Sequence, residues 1–143
     1  MGCDIHMHVE VKIDNQWHYY GELHIRRHYA LFDRLSHVRG YNYEGIAKNR
    51  GIPTDASAVT RVHFNSWGQD AHSEGYLTSE EIKDFIPIWN SQTRRYDHPQ
   101  NLPFFYAEDL RYFFGNGYDN WYSEKENIPE EIQDFRFIFW YDN

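Results

Sequence analysis

Asp4, His6 and His8 stand at alternate positions of Asp-Ile-His-Met-His, and each carries a side chain able to hold a divalent metal ion. Alternation is the spacing such chemistry needs on a β-strand, whose side chains have a period of two, so that every second one emerges on the same face. An ion held there lowers the pKa of a bound water and turns it toward a phosphoester or an amide. Metal hydrolases that start from this pattern take further ligands from other strands. His63, Asp70, His72, Asp97 and His98 are the downstream donors, and none lies in a recognisable second motif. His72, supported by Asp70, is the expected supplier. The candidate metal set is therefore Asp4, His6, His8 and His72, and His6, His8 and His72 are the catalytic candidates if the protein is an enzyme. The competing reading of the same alternation is a polar sheet face turned to solvent.

Asp70-Ala71-His72-Ser73 places an acid, an imidazole and a hydroxyl within four residues. Members of a nucleophilic triad converge from different directions, so a loop that supports a ligand pocket, or a turn with its own caps, is the better account. Arginines occur as Arg26-Arg27 and Arg94-Arg95, with Arg39, Arg50 and Arg61 near a long loop, interleaved with Tyr29, Tyr41, Tyr43, Trp67 and Tyr96. Planar guanidinium forks bind phosphate and aromatic rings stack on bases, which together equip a nucleotide pocket. Pairing of the arginines with surface carboxylates is the alternative. The expected ligand-binding residues are Asp4, His6, His8, Arg26, Arg27, Tyr29, Arg39, Trp67, Asp70, His72 and Ser73. Neither a Walker-type phosphate loop nor Gly-x-Gly-x-x-Gly is present, so a nucleotide would bind by another route.

These side chains need a frame. Ile5, Met7, Val9, Val11 and Ile13 alternate with the polar set, which makes residues 3–13 a half-buried strand. Asp14-Asn15-Gln16 is turn chemistry and Trp17-His18-Tyr19-Tyr20 is rich in strand formers, so residues 3–20 read as a hairpin. Helical spacing appears over residues 27–38, after the capping box Thr78-Ser79-Glu80-Glu81, and over residues 104–114. Residues 40–53 read as a long loop, residues 54–57 as the start of a short helical turn before Val59, and residues 65–74 as another loop. Phe135 to Tyr141 carries large apolar groups on both faces and belongs in the middle of a sheet. The expected fold is α+β: one domain spanning residues 1–143, with a small antiparallel sheet, an N-terminal hairpin, a central C-terminal strand and about three short packing helices.

Length and composition set the bounds. A chain of 143 residues can bury a core without disulfide or metal staples, and with 19% aromatic residues against 41% hydrophobic that core is built largely from rings. A formal charge of −8 repels a polyanion at long range and argues against duplex nucleic acid or an anionic membrane as partner. Cys3 is the only cysteine, which fits a cytoplasmic protein, and the polar alternation of residues 4–12 leaves no apolar signal segment. Nine histidines make the charge strongly pH-dependent.

The opening Gly2-Cys3-Asp4-Ile5-His6 and the ending Phe139-Trp140-Tyr141-Asp142-Asn143 frame Tyr29-Ala30-Leu31-Phe32, Arg50-Gly51-Ile52-Pro53 and Asp70-Ala71-His72-Ser73. This ordered set resembles a group of small bacteriophage and prophage proteins. The group's ending is Phe-Trp-Phe-Asp-Asn, from which Tyr141 departs by a hydroxyl. The resemblance implies a phage origin and the cytoplasm of an infected bacterium, and it carries no mechanism with it. By association with small phage accessory proteins it implies counter-defence. The leading expectation is then sequestration of a small phosphorylated ligand, a nucleotide or cyclic-nucleotide immune signal. The alternatives are a metal-dependent phosphoester hydrolase that uses Asp4, His6 and His8 on such a nucleotide, and direct inhibition of a host protein. Self-association is left open.

Overall fold

A computed structural model describes residues 2–23, 25, 27–82, 84 and 130–143. The elements run β1 (Asp4–Ile13), β2 (Gln16–Leu23), α1 (Tyr29–Ser36), α2 (Ala58–Ser66), a 3-10 turn (Gly68–Asp70), β3 (His72–Thr78) and β4 (Asp134–Asp142). The four strands form one antiparallel sheet in the order β2-β1-β4-β3, an α+β arrangement. The first and last strands are therefore central neighbours, in register from Asp4 opposite Asp142 to Lys12 opposite Asp134. The expected helix over residues 104–114 lies outside the described residues.

The hairpin closes through Asp14 (φ 51°) and Asn15 (φ 62°), a left-handed pair that Asp and Asn adopt more readily than other side chains. In β2 the pairing then slips. Val9 faces Gly21 while Glu10 faces Tyr19, so Tyr20 is an extra residue that the ladder bulges around. Glu22 thereby comes to lie opposite His8, and Leu23 opposite Met7.

One sheet face is the apolar core. Ile5, Met7, Val9 and Val11 from β1 and Phe135, Phe137, Phe139 and Tyr141 from β4 are buried there with Leu31, Phe32 and Leu35 of α1. α1 starts at His28, whose ring nitrogen accepts from the Leu31 N–H, and stops at His37 in the left-handed region. It is shorter at both ends than the expected span of 27–38. The Tyr141 hydroxyl is buried and finds its partner in Ser36 Oγ at 2.8 Å, so the extra polar atom is satisfied.

The structure corrects the loop expected over residues 65–74. A 3-10 turn fills residues 68–70, and β3 begins at His72 as the edge strand beside β4. A second irregularity lies between His72 and Gly75, with Ser73 at φ 55°. At Gly75 a side chain would press against the Ala47 carbonyl oxygen, only 2.9 Å from an ideal Cβ, so the long loop packs directly on β3 backbone. The capping box forms reciprocally: Thr78 Oγ1 accepts from the Glu81 N–H, and Glu81 Oε1 accepts from the Thr78 N–H. Among the described residues no helix is long and apolar enough to cross a membrane.

Candidate functional site

The other sheet face is polar, and α2 covers it. Ser57 caps the helix by accepting from the Thr60 N–H. Thr60, His63, Phe64 and Trp67 then recur at the spacing that puts them on one side of the helix. That side meets the sheet, while Val59 and Val62 are 52% and 71% exposed. The amphipathic sense of α2 is thus inverted, with polar and aromatic groups inward and valines outward. His8 and Glu10, two of the five polar residues that alternate along β1, are buried under it rather than exposed.

A continuous hydrogen-bonded chain runs through this layer. Arg136 of β4 donates from Nε and Nη2 to Glu10 Oε1, at 3.1 and 2.8 Å, and from Nη1 to Asp55 Oδ1 at 2.8 Å. Its guanidinium lies over the Trp17 ring at 4.0 Å. Glu10 Oε2 accepts from the Thr60 hydroxyl at 2.7 Å and from the Ser57 N–H at 2.9 Å. Thr60 Oγ1 lies 3.0 Å from His8 Nδ1, and His8 Nε2 lies 2.7 Å from His63 Nδ1. Burial works to raise the Glu10 carboxyl, but hydrogen bonds from Ser57, Thr60 and Arg136 outweigh it and hold the group below its usual range. Burial, followed by the neighbouring His63, pushes His8 down to about 4, so its imidazole is neutral at pH 7.

One ligand atom from each of His8, His63 and Glu22 lies within 4.8 Å of the other two, and His8 Nε2 faces His63 Nδ1. Two imidazoles and a carboxylate form a donor set suited to zinc and to neighbouring first-row divalent ions, and three protein ligands leave a position for water or substrate. His8 is buried, whereas His63 and Glu22 are half-buried, so the cluster opens outward from β1. Aromatic rings wall it in. Tyr19 and Trp140 meet His8 edge-on at 4.8 and 5.2 Å, and Trp140 also meets His63 at 5.2 Å. Trp140 is fully buried, and its indole N–H has no hydrogen-bond partner among the described residues.

The residues singled out in the sequence are distributed differently from the expected set. Asp4 is engaged by Arg27 through two 2.9 Å bonds, and His6 donates from Nε2 to Asp142 at 2.6 Å while lying against Trp67 at 4.3 Å. His72 pairs across the ladder with Tyr141 and stacks on it, which puts it on the core face of the sheet. His6 and His8 point the opposite way, so Asp4, His6, His8 and His72 do not converge on one ion. His8 remains. It is joined by His63, one of the downstream candidates, and by Glu22, which the sequence reading missed. Asp70 is exposed in the 3-10 turn. At the end of the sheet, Arg39 Nη2 and His72 Nε2 both donate to Asn143 Oδ1, Ser73 Oγ lies 3.0 Å from His72 Nδ1, and Arg39 lies over the Tyr29 ring. Arg26, Arg94, Arg95, Asp97 and His98 lie outside the described residues. No family model, no curated protein and no solved structure matches the chain.

Proposed function

We propose that the protein binds a divalent metal ion at His8 Nε2, His63 Nδ1 and the Glu22 carboxylate, and that the ion activates water for hydrolysis of a phosphoester in a small phosphorylated molecule. The convergence of these three side chains beside a buried, neutral His8 carries the reading. Two neutral imidazoles and one carboxylate leave a net positive charge on a divalent ion. It can therefore draw in an anionic phosphate oxygen as well as acidify a bound water. The two ring nitrogens lie within hydrogen-bond distance, 2.7 Å apart. An ion at zinc-type bond lengths would part them to about 3.3 Å, a small swing of the half-buried His63 ring.

Elemental analysis of untagged protein tests this. About one equivalent of metal is expected in the wild type and in His72→Ala, and less than about a tenth in His63→Ala. Turnover of a chromogenic phosphodiester should follow the metal content. A wild type without metal, showing no thermal shift on addition of zinc, manganese, iron or nickel ions, overturns the reading.

Capture of a phosphorylated ligand without cleavage is favoured by a separate arrangement. Arg39, His72, Ser73 and Tyr29 gather around Asn143 at the sheet end, where an anion could replace the amide oxygen as acceptor. Arg27, Arg50 and Arg136 are already engaged by Asp4, Glu81 and Glu10, which places the metal reading first. A thermal-shift screen of cyclic nucleotides decides the second reading, and Arg39→Ala should abolish any shift it finds.

A further inference from the structure

We infer that Thr60, backed by Glu10 and Arg136, is a positioning residue that fixes His8 as the Nδ1–H tautomer and so presents the Nε2 lone pair to the metal. The purpose of this lock rests on the metal reading, but the tautomer itself belongs to the metal-free protein.

The argument is a count of protons. Both oxygens of Glu10 are occupied by donors: Arg136 on Oε1, and the Ser57 N–H with the Thr60 hydroxyl on Oε2. Thr60 has a single hydroxyl proton, and at 2.7 Å from a carboxylate it is donated there. Toward its other neighbours Thr60 Oγ1 can only accept, and one of those neighbours is His8 Nδ1 at 3.0 Å. His8 Nδ1 therefore carries the proton. A neutral imidazole has one N–H, so Nε2 is bare and faces His63. Without metal, His63 fills the gap by donating from Nδ1. With metal, His63 needs only to hold its proton on Nε2 instead, and both lone pairs then face the ion. The members of the chain are rigidly held: Thr60 and Glu10 are fully buried and Arg136 nearly so. Ligating histidines are commonly oriented by such a partner on the second nitrogen, and its loss weakens metal binding roughly 10–100-fold.

The test combines long-range proton–nitrogen NMR of the histidine rings in metal-free, nitrogen-15-labelled protein at pH 7 with zinc-ion titration against a competing chelator. His8 signals are identified by their absence in His8→Gln. The expected result is a protonated Nδ1 and a bare Nε2 for His8 in the wild type and in Thr60→Ser. Thr60→Val should lose the single tautomer and weaken zinc binding about 10–100-fold, while Thr60→Ser stays within about threefold of the wild type. A wild-type His8 protonated on Nε2 overturns the inference, as does a Thr60→Val protein that keeps both tautomer and affinity. If Thr60→Val does not fold, the wild-type tautomer decides alone. If the Nδ1–H tautomer is found but zinc does not bind, the lock stands and only the metal reading falls.

Discussion

Against α1 the sheet presents Ile5, Met7, Val9, Phe137 and Phe139; against α2, from the alternate positions of the same strands, it presents His6, His8, Glu10, Arg136 and Trp140. Several residues on each side are fully buried, so burial alone does not distinguish the faces. What differs is how burial is compensated. On the α1 side apolar contact is favourable in itself, and the one buried hydroxyl of β4, on Tyr141, has a dedicated partner. On the α2 side the buried charged and hydroxyl groups are matched by one another, and the matching produces a directed chain of donors and acceptors from Arg136 to His63, with the Trp140 indole N–H left outside it. One face is held by apolar contact, and the other by matched hydrogen bonds around His8 and Glu10, whose pKa values both lie below the ordinary ones.

Breaking the apolar side should have the largest effect. Phe139 is fully buried on the central strand, and Phe139→Ala should cost about 3–5 kcal/mol in denaturant-induced unfolding. A loss below about 1 kcal/mol would mean that the α1 face is not the main source of stability.

The polar side should instead reveal itself through pH. His8 is held neutral down to about 4 in the folded protein, against an ordinary value of 6.5. Between those limits the unfolded chain binds a proton that the native one refuses, so stability rises with pH across the window, by roughly 3 kcal/mol at most, and the gain is complete above it. Glu10 acts at the acid end of that range and beneath it: its lowered pKa means that stability falls further as pH drops through the ordinary carboxylate value and below. His8→Gln should flatten the upper part of this slope and leave the acid limb. Melts from pH 4 to pH 7 read the difference, and an unchanged slope would remove His8 from the account.

The smallest effect should come from the rim. Asp4 and Arg27 are each about half exposed, and their ion pair is screened by solvent. Asp4→Asn should change stability by less than about 1 kcal/mol and leave metal content unaltered. Loss of metal in Asp4→Asn would return Asp4 to the ligand set and blur the division between rim and site.

Much of the scaffold was legible because period two is a strong signal. The alternation of residues 4–13, the Asp14-Asn15 turn and the doubly apolar ending gave the hairpin, the central strand and the α+β class. Of the candidate site, His8 stood in the expected metal set and His63 only among the downstream donors. Alternating polar residues suggested solvent or metal because nothing in β1 shows that a helix will cover them. That helix hides itself: Val59 and Val62 mark the wrong side, and the relevant stripe is Thr60, His63, Phe64 and Trp67. β3 was missed because Ser73 breaks its alternation. Glu22 was missed for a related reason, since Trp17, Tyr19 and Glu22 share a face at uneven spacing.

That uneven spacing follows from Tyr20, which the ladder steps over. The bulge acts as a slip joint in an edge strand. The turn at Asp14-Asn15 sets the register on one side of it and the pairing of Leu23 with Met7 sets it on the other, so the chain between can carry one residue more or less. A chain lacking Tyr20 would still bring Tyr19 opposite Glu10 and Glu22 opposite His8, now in unbroken alternation. The carboxylate of the site is thus insulated from changes in the length of the strand that delivers it.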